Sequence, residues 1–539
     1  LPDYEVWKQN QSHKVQSVQY FKGLGTSSNA DAKEYFSNLQ SHCINVIYTS
    51  ECGDKLDLFF ASNRSDDRKK MLEYVDKTLS VDYSQKTLTV KDFCEKDLIR
   101  FSVADNIRSI PDMIDGFKPA QRKVLDVVLK HKTGQMKVAQ LASSVADITN
   151  YHHGETSLAG VIVGMAQPWI GLNNVAFLKP MGQYGSRHNP KSAAAPRYIF
   201  TQAHSITRSL FPKADDPILT PAIEDGQEVE PVRFLPILPT ILFNGVDGIG
   251  TGWRSWLPNF SPVDVCKSVK DILNGNTCGD LQPYYFGFKG RMYPDPPGQF
   301  QVFIFEAEFK VDNDTLIISD LPPQKWTQTY KDWLADHRSN DILSIDDNST
   351  DEYVLLNIKC RPGFLANCKN IVTHFALSNK VSLTNLVLFD QSGRLKRYTF
   401  VKDIIEEFVA YRLPFYDKRL RHQCDALEHQ LNIAKSKCKL IKEVDEEVLV
   451  IKGMTTDQLR HYFATHNYYD YEKFEYLTRM PIASCTIDLH NKLVQECKAL
   501  EQNLEDLKKI TAKEAWFTDI EYFEKVYEKY IEERMEAMT

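Results

Sequence analysis

No Cys-x-x-Cys pair occurs in this sequence, which removes zinc ribbons and thioredoxin-type centres from consideration. The eleven cysteines are scattered between positions 43 and 497, and an odd, dispersed set points to reduced thiols inside a cell. A Gly-x-x-x-x-Gly-Lys-Ser/Thr loop is missing, as is a Gly-x-Gly-x-x-Gly following a strand, so neither common nucleotide cradle is present. Long apolar runs are also lacking. The longest uncharged stretch, Thr156 to Leu178, is interrupted by Gln167, Pro168, Asn173 and Asn174, and reads as a buried helix and turn in a soluble protein. The chain opens Leu-Pro-Asp-Tyr-Glu with neither Met nor a signal pattern, so it is expected to be a piece of something longer. Asp312-Asn-Asp314 is too thin for a metal site and reads as a turn; no metal site is expected in this chain.

What is present is enough apolar material for several cores. At about 100–200 residues per domain, 539 residues with 42% hydrophobic content predict three to five domains. Net charge is −7, but Arg108 to Lys213 holds thirteen Lys/Arg against five Asp/Glu. Three amphipathic segments lie inside that basic stretch. Val124, Leu125, Val128 and Leu129 share one helix face; Val138, Leu141, Ala142 and Val145 make a second; Leu158, Val161, Ile162 and Met165 make a third. Short turns between them give the grammar of a helix-turn-helix, entered through Asp115-Gly-Phe-Lys-Pro119. A basic helix-turn-helix in an acidic chain is an electrostatic footprint for a polyanion, although a charge excess alone also describes a solvated face.

Residues 1–90 read as the tail of an α/β domain, with apolar runs at Cys43–Tyr48 and Leu56–Phe60. From about 240 to 395, strand-like runs at Val302–Phe305, Thr315–Ser319 and Tyr353–Ile358 predict a mixed α/β domain with an antiparallel sheet. Towards the C terminus, Leu413, Leu420, Cys424, Leu427, Leu431, Ala434, Cys438 and Ile441 form one heptad seam, and Leu493, Cys497, Leu500, Leu504 and Leu507 another. About fifty residues rich in Tyr and Phe separate them. The simplest geometry is an antiparallel coiled-coil arm capped by a small head suited to dimerise.

Several residues have chemical potential. Arg197 directly precedes Tyr198 after a run of alanines; a phenol titrating near 10 needs help to act as a nucleophile, and an adjacent guanidinium can neutralise the charge of a phosphorane. His152 and His153, in Tyr151-His-His-Gly-Glu155, sit at the expected start of the third helix, where amides favour phosphate, and a histidine there can serve as acid or base. Capping or packing is the plainer role for each. Gly245-Val-Asp-Gly-Ile249-Gly-Thr-Gly252 reads as a turn displaying Ile249, either as a wedge between base steps or as a buried side chain in a tight turn. Tyr20-Phe-Lys-Gly-Leu-Gly-Thr26 is a weak Gly turn, and Asp66-Asp-Arg-Lys-Lys70 is either solvated surface or phosphate contact.

In order along the chain, Lys22-Gly-Leu-Gly-Thr26, Arg108-Ser-Ile-Pro111, Asp115-Gly-Phe-Lys-Pro-Ala-Gln-Arg-Lys-Val124, Lys137-Val-Ala-Gln-Leu141, Tyr151-His-His-Gly-Glu155, Pro196-Arg-Tyr-Ile199, Glu230-Pro231, Leu235-Pro-Ile-Leu-Pro239 and Gly248-Ile-Gly-Thr-Gly-Trp253 resemble the breakage-rejoining region of eukaryotic type IIA DNA topoisomerases. The resemblance covers about residues 1 to 415, with the arm and head matching in layout. It implies a multidomain α/β and α+β chain: the end of a TOPRIM domain (1–95), a winged-helix domain (96–238), a mixed α/β tower (239–397), and a coiled-coil arm with a helical dimerisation head (398–539, head about 445–490).

The implied activity is a homodimeric DNA gate in which Tyr198 forms a transient 5′-phosphotyrosine link, opening double-stranded DNA so that a second duplex can pass. Arg197 corresponds to the transition-state arginine, and His153, with His152 beside it, to the acid/base histidine. Arg108, Lys118, Arg122, Tyr151 and Ser157 match DNA-contacting positions, as do Arg68 and Lys69; Ile249 matches the intercalating isoleucine. Mg2+ and ATP are implied for the whole enzyme, with both sites outside this chain, so the chain alone is not expected to cut DNA efficiently. Double-stranded DNA and a second copy are the expected partners, with no membrane. The expected compartment is the nucleus, or a cytoplasmic viral replication site for a large DNA virus. One departure is Arg187-His-Asn-Pro-Lys191 in place of the family's Gly-Gly-Lys-Asp, which stiffens the loop before Tyr198 and puts its DNA or drug contacts in doubt. The alternatives are a structural paralogue that binds and bends DNA without cutting it, and a coiled-coil dimerisation scaffold.

Overall fold

The computed structural model describes residues 7, 10, 27–73, 75, 79–131, 134–224, 226–299, 301–338, 340–481 and 487–538. The Gly turn at 20–26 lies outside the described residues. The N-terminal part is α/β as expected: strands β1 (Asn45–Ile47) and β2 (Thr87–Thr89) pair in parallel, and helices α1 (Cys52–Phe60) and α2 (Ser65–Glu73) form the crossover that parallel pairing requires. Phe59, Cys94 and Ile99 make its small core.

Helix α3 (Ile99–Ser109) leads into the basic region. There α4 (Pro119–Asp126) opens on a proline whose fixed φ suits the first turn. It is followed by α5 (Val138–Ile148) and α6 (Glu155–Ala166). The apolar faces predicted from periodicity are buried in all three; only Val161 stays half-buried. Helix α7 (Ser205–Leu210) and the antiparallel hairpin β3 (Pro221–Glu224) and β4 (Gln227–Pro231) complete a helical unit with one wing.

Its core is larger than the 96–238 stretch. A second hairpin, β5 (Val246–Ile249) and β6 (Arg254–Leu257), is followed by helix α8 (Pro262–Leu273), and Leu257, Val265, Cys266, Val269 and Leu273 pack into the same cluster.

Among the described residues, the remainder of the 239–397 stretch carries a three-stranded sheet, a four-stranded sheet and the hairpin of Leu386–Phe389 with Leu395–Tyr398. Strands β7 (Arg291–Pro294) and β8 (Val302–Glu306) pair, and Phe303 and Phe305 still point into the main core. Strands β9 (Glu308–Asp312), β10 (Thr315–Asp320), β11 (Ile342–Asp347) and β12 (Leu356–Cys360) form an antiparallel sheet in the order β9-β10-β12-β11. Helix α9 (Thr327–Arg338) covers it with Tyr330 and Leu334, closing a second core with Leu316, Ile318 and Phe375. Burial in β10 alternates residue by residue, as a half-buried strand requires. The strand expected at Tyr353 begins three residues later, at Leu356, because Thr350 Oγ1 accepts the Glu352 and Tyr353 amides and holds that segment in a turn. Asp312-Asn-Asp314 is the β9–β10 turn, with Asn313 at φ 49°.

Helix α10 (Val401–Asp445) runs about 67 Å at 1.5 Å per residue. After the small head helix α11 (Thr456–Thr465), helix α12 (Ile487–Lys509) returns antiparallel, in a register set by Lys435–Glu501 and Lys508–Glu428 ion pairs of 2.6 Å each. Cys424, Leu427, Leu431, Ala434 and Cys438 meet Cys497, Leu500 and Leu504 along the seam; Phe463, Tyr468, Phe474 and Leu477 fill the head.

The arm is shorter than 398–539. Leu413 and Leu420, expected in the seam, pack against the main core instead. The last helix, α13 (Ala512–Met538), folds back onto it through Trp516, Ile520, Phe523 and Tyr530, and the Trp516 indole N–H donates to the Ile237 carbonyl at 2.8 Å. Among the described residues no helix is long and apolar enough to cross a membrane.

Candidate nucleic-acid interface and nucleophile

A groove of about 1050 Å³ brings together Arg108, Lys118, Tyr151, His152, His153 and Ser157. Arg108 ends α3 and is exposed; Lys118 precedes α4, its ammonium pushed below the usual lysine range by burial and 3.5 Å from the Asp247 carbonyl. The histidine turn follows from local backbone chemistry. Asn150 adopts a left-handed φ of 48° past the end of α5, and the Tyr151 amide donates back to the Ala146 carbonyl at 3.0 Å. Gly154 caps α6 with no side chain; the Ser157 amide donates to the Gly154 carbonyl at 2.9 Å, and the amides ahead of it have no side-chain cap competing with an anion. The Tyr151 and His153 rings meet edge-on at 5.3 Å, and the Tyr151 hydroxyl lies 3.5 Å from Ser157 Oγ.

Lys123, not singled out from the sequence, fixes this turn. Its ammonium donates to the Thr149 carbonyl at 2.9 Å, Glu224 at 2.8 Å and Glu230 at 2.9 Å, so one side chain of α4 ties the end of α5 to the wing. Burial raises the Glu230 carboxyl above its ordinary range, while Lys123 works in the opposite direction. A lysine beside the apolar stripe of α4, together with the Glu230-Pro231 motif, was the available signal.

Arg197 and Tyr198 occupy a turn laid against the start of α5. The Ala139 amide donates to the Pro196 carbonyl at 3.1 Å, the Val138 amide to the Ile199 carbonyl at 3.0 Å, and the Tyr198 amide to the Ala195 carbonyl at 2.9 Å. Ile199 is buried, whereas Tyr198 is 65% exposed, with the Arg197 guanidinium 4.8 Å from its ring centroid. The backbone is pinned and the phenol is presented. Helix α5, about 16 Å long, lies between this turn, held at its start, and His152 and His153 beyond its far end.

The loop before Tyr198 is held at several points besides Pro190. Arg187, 1% exposed, donates to the Lys325 and Leu321 carbonyls at 2.8 Å each and meets Asp320 at 3.3 Å, tying the loop to the four-stranded sheet. Gln167 braces its other side through the Tyr184 and Pro190 carbonyls. Arg187 therefore anchors the loop rather than facing a ligand.

The other expected contacts divide. Arg122 is committed inward: its guanidinium holds both oxygens of fully buried Asp115, at 2.7 and 3.0 Å, and reaches the Phe117 carbonyl, because a buried carboxylate demands a charged partner. Arg68 donates to the Leu58 and Ala61 carbonyls at the end of α1, and Lys69 pairs with Asp66 at 2.6 Å while lying 5.5 Å from the Trp253 ring. Helix α2 thus docks beside the β5–β6 hairpin. Ile249 at the end of β5 is 71% exposed, which decides against the buried-turn alternative. A Cβ on Gly248 would strike the Ser109 carbonyl, and one on Gly250 the Asn106 side chain; the hairpin lies flush on α3 because both are glycine, and Ile249 between them projects. Among the described residues no group of three or more His, Cys, Asp or Glu is placed to hold a metal ion.

The family model for the A-type chain of DNA gyrase/topoisomerase IV matches residues 108–522. The chain belongs to that topoisomerase family. A second model, the C-terminal associated domain of TOPRIM, matches residues 1–106, so the two meet at the end of α3. DNA topoisomerase 2 of Saccharomyces cerevisiae is 34% identical over all of this chain and 42% of its own length; that of Plasmodium falciparum is 37% identical over 98% and 41%. The crystal structure of the Plasmodium falciparum topoisomerase II DNA-binding, cleavage and re-ligation domain superposes with a TM-score of 0.85 at 36% identity, covering the whole chain and 78% of that domain. The chain thus spans about two-fifths of the length of these curated topoisomerases and is homologous to their cleavage–re-ligation core.

Proposed function

We propose that this chain is the DNA-gate core of an ATP-dependent type II topoisomerase, acting on duplex DNA as a homodimer in the nucleus. The observation that carries the reading is the exposed Tyr198 phenol on a pinned turn, under the Arg197 guanidinium. In the cleavage step the phenol oxygen bonds to a backbone phosphorus, the bond from phosphorus to the 3′-oxygen of the preceding deoxyribose breaks, and the phenolic proton passes to that leaving oxygen through a base. Re-ligation is the reverse. Arg197 stabilises the added charge on phosphorus through charge-assisted hydrogen bonds. Arg108 and Lys118 hold the backbone in the groove, Tyr151 and Ser157 contribute neutral hydrogen bonds, and Ile249 enters the base stack. A duplex lying along α5 passes both Tyr198 and His153 at different phosphates, and His153 serves as acid or base toward the attacked phosphate in an assembly that brings the two together. Mg2+ and ATP belong to the whole enzyme, with sites outside this chain.

The test is full-length protein with Mg2+ and plasmid, quenched with detergent. Covalent protein–DNA adduct should form with the unaltered protein and vanish with Tyr198→Phe. Equal adduct in both contradicts the assignment, and DNA binding with bending but no adduct supports the non-cleaving alternative.

A further inference from the structure

The seam of the arm carries a chemistry that DNA cleavage does not use. Coiled-coil seams favour aliphatic side chains, yet this one contains Cys424, Cys438 and Cys497. The register set by Lys435–Glu501 and Lys508–Glu428 places Cys438 on the outgoing helix opposite Cys497 on the returning one, and their sulfurs lie 3.8 Å apart. That is contact distance between two thiols. A disulfide requires about 2.05 Å, so the sulfurs must approach by about 1.8 Å, within the reach of two χ1 adjustments on helices already held in register. Cys424 has no such opposite number: the same register places it near Thr511 and Ala512, where the returning helix has ended. Burial and the neighbouring sulfur push the Cys438 thiol up to about 12, so thiolate at this position is scarce and its oxidation is slow.

We propose that Cys438 and Cys497 form an oxidisable pair that closes into a disulfide across the arm on exposure to a two-electron oxidant of the peroxide class. One sulfur attacks a peroxide oxygen, giving a sulfenic acid and one water. The second sulfur then displaces the sulfenic oxygen, the Sγ–Sγ bond forms, and a second water leaves. Two thiol protons and two electrons pass to hydrogen peroxide in all. The link encloses the whole head, including α11 and the Phe463–Phe474 cluster, in one covalent ring and prevents the two helices from parting where the arm enters the head. This inference does not depend on the proposed activity.

The test is to treat the full chain with hydrogen peroxide, block remaining thiols with an alkylating agent, and map linked peptides by mass spectrometry. A Cys438–Cys497 peptide should appear, disappear on reduction, persist in Cys424→Ser, and be absent from both Cys438→Ser and Cys497→Ala. The oxidised protein should resist proteolysis within the head at least several-fold more than the reduced one, with no such gain in either variant. Linkage of either cysteine chiefly to Cys485 overturns the proposal, as does recovery of both as alkylated thiols under conditions that oxidise exposed Cys43.

Discussion

Two neighbouring residues of one motif, Arg122 and Lys123, are both turned inward, and each has a different consequence. Arg122 neutralises Asp115, whose oxygens also accept the Phe117 and Phe234 amides, so it holds the start of α4 against the strand-to-loop segment after the wing. Lys123 alone, among the described residues, joins Thr149, Glu224 and Glu230. Lys123→Met leaves Glu230 buried without its cation, and stability should fall by about 3–5 kcal/mol, read by denaturant unfolding; Lys123→Arg should recover part of it. A loss under about 1 kcal/mol would contradict that role. Ile249 makes the opposite case, an apolar side chain that the fold exposes. With Ile249→Ala the bend imposed on DNA should decrease while the salt dependence of binding is retained; a bend unaltered by the substitution counts against the wedge. The sequence could not decide between exposed and buried Ile249, because that choice depends on the hairpin lying against Asn106 and Ser109, more than a hundred positions away.

At the scale of elements, α5 organises the site: its first turn receives the Pro196–Ile199 segment and its last turn leads to the histidines. Its four-residue apolar face was legible because all four positions are buried against neighbours close in the chain. Helix α13 was not legible as part of the main core. Its Trp516, Ile520, Phe523 and Tyr530 repeat at nearly the spacing of a seam, and periodicity gives the face of a helix without naming its partner. This return helix buries His204, whose ring meets Tyr530 edge-on at 4.8 Å. Burial, with Lys179 and Arg534 nearby, lowers the imidazole from 6.5 to about 4. The unfolded chain therefore takes up that proton first, and the corresponding stability, present above pH 6.5, is lost as pH falls from 6.5 towards 4. A depression of this size amounts to about 3 kcal/mol at most. Equilibrium unfolding followed across that range should be steeper for the unaltered protein than for His204→Gln; parallel curves would contradict it.

Over the whole molecule, the charge imbalance between an acidic chain and its basic 108–213 stretch was visible from sequence, but its use was not. Within that stretch Arg122, Lys123 and Arg187 serve internal pairs, as Lys130 does with Asp126 and Arg208 with Asp216; of the cations named as DNA contacts, Arg108, Lys118 and Arg197 remain there as candidates for phosphate, with Lys69 of α2, which also pairs with Asp66, as a fourth. About four such contacts imply a fall in DNA affinity on the order of a hundredfold between about 50 and 200 mM salt. Affinity independent of salt would instead fit the scaffold reading. The most direct measurement is the identity of the side chain that carries nucleotide when a full-length reaction with DNA and Mg2+ is trapped and digested. Mass spectrometry should find the nucleotide on the phenolic oxygen of Tyr198; nucleotide on any other residue would contradict the account.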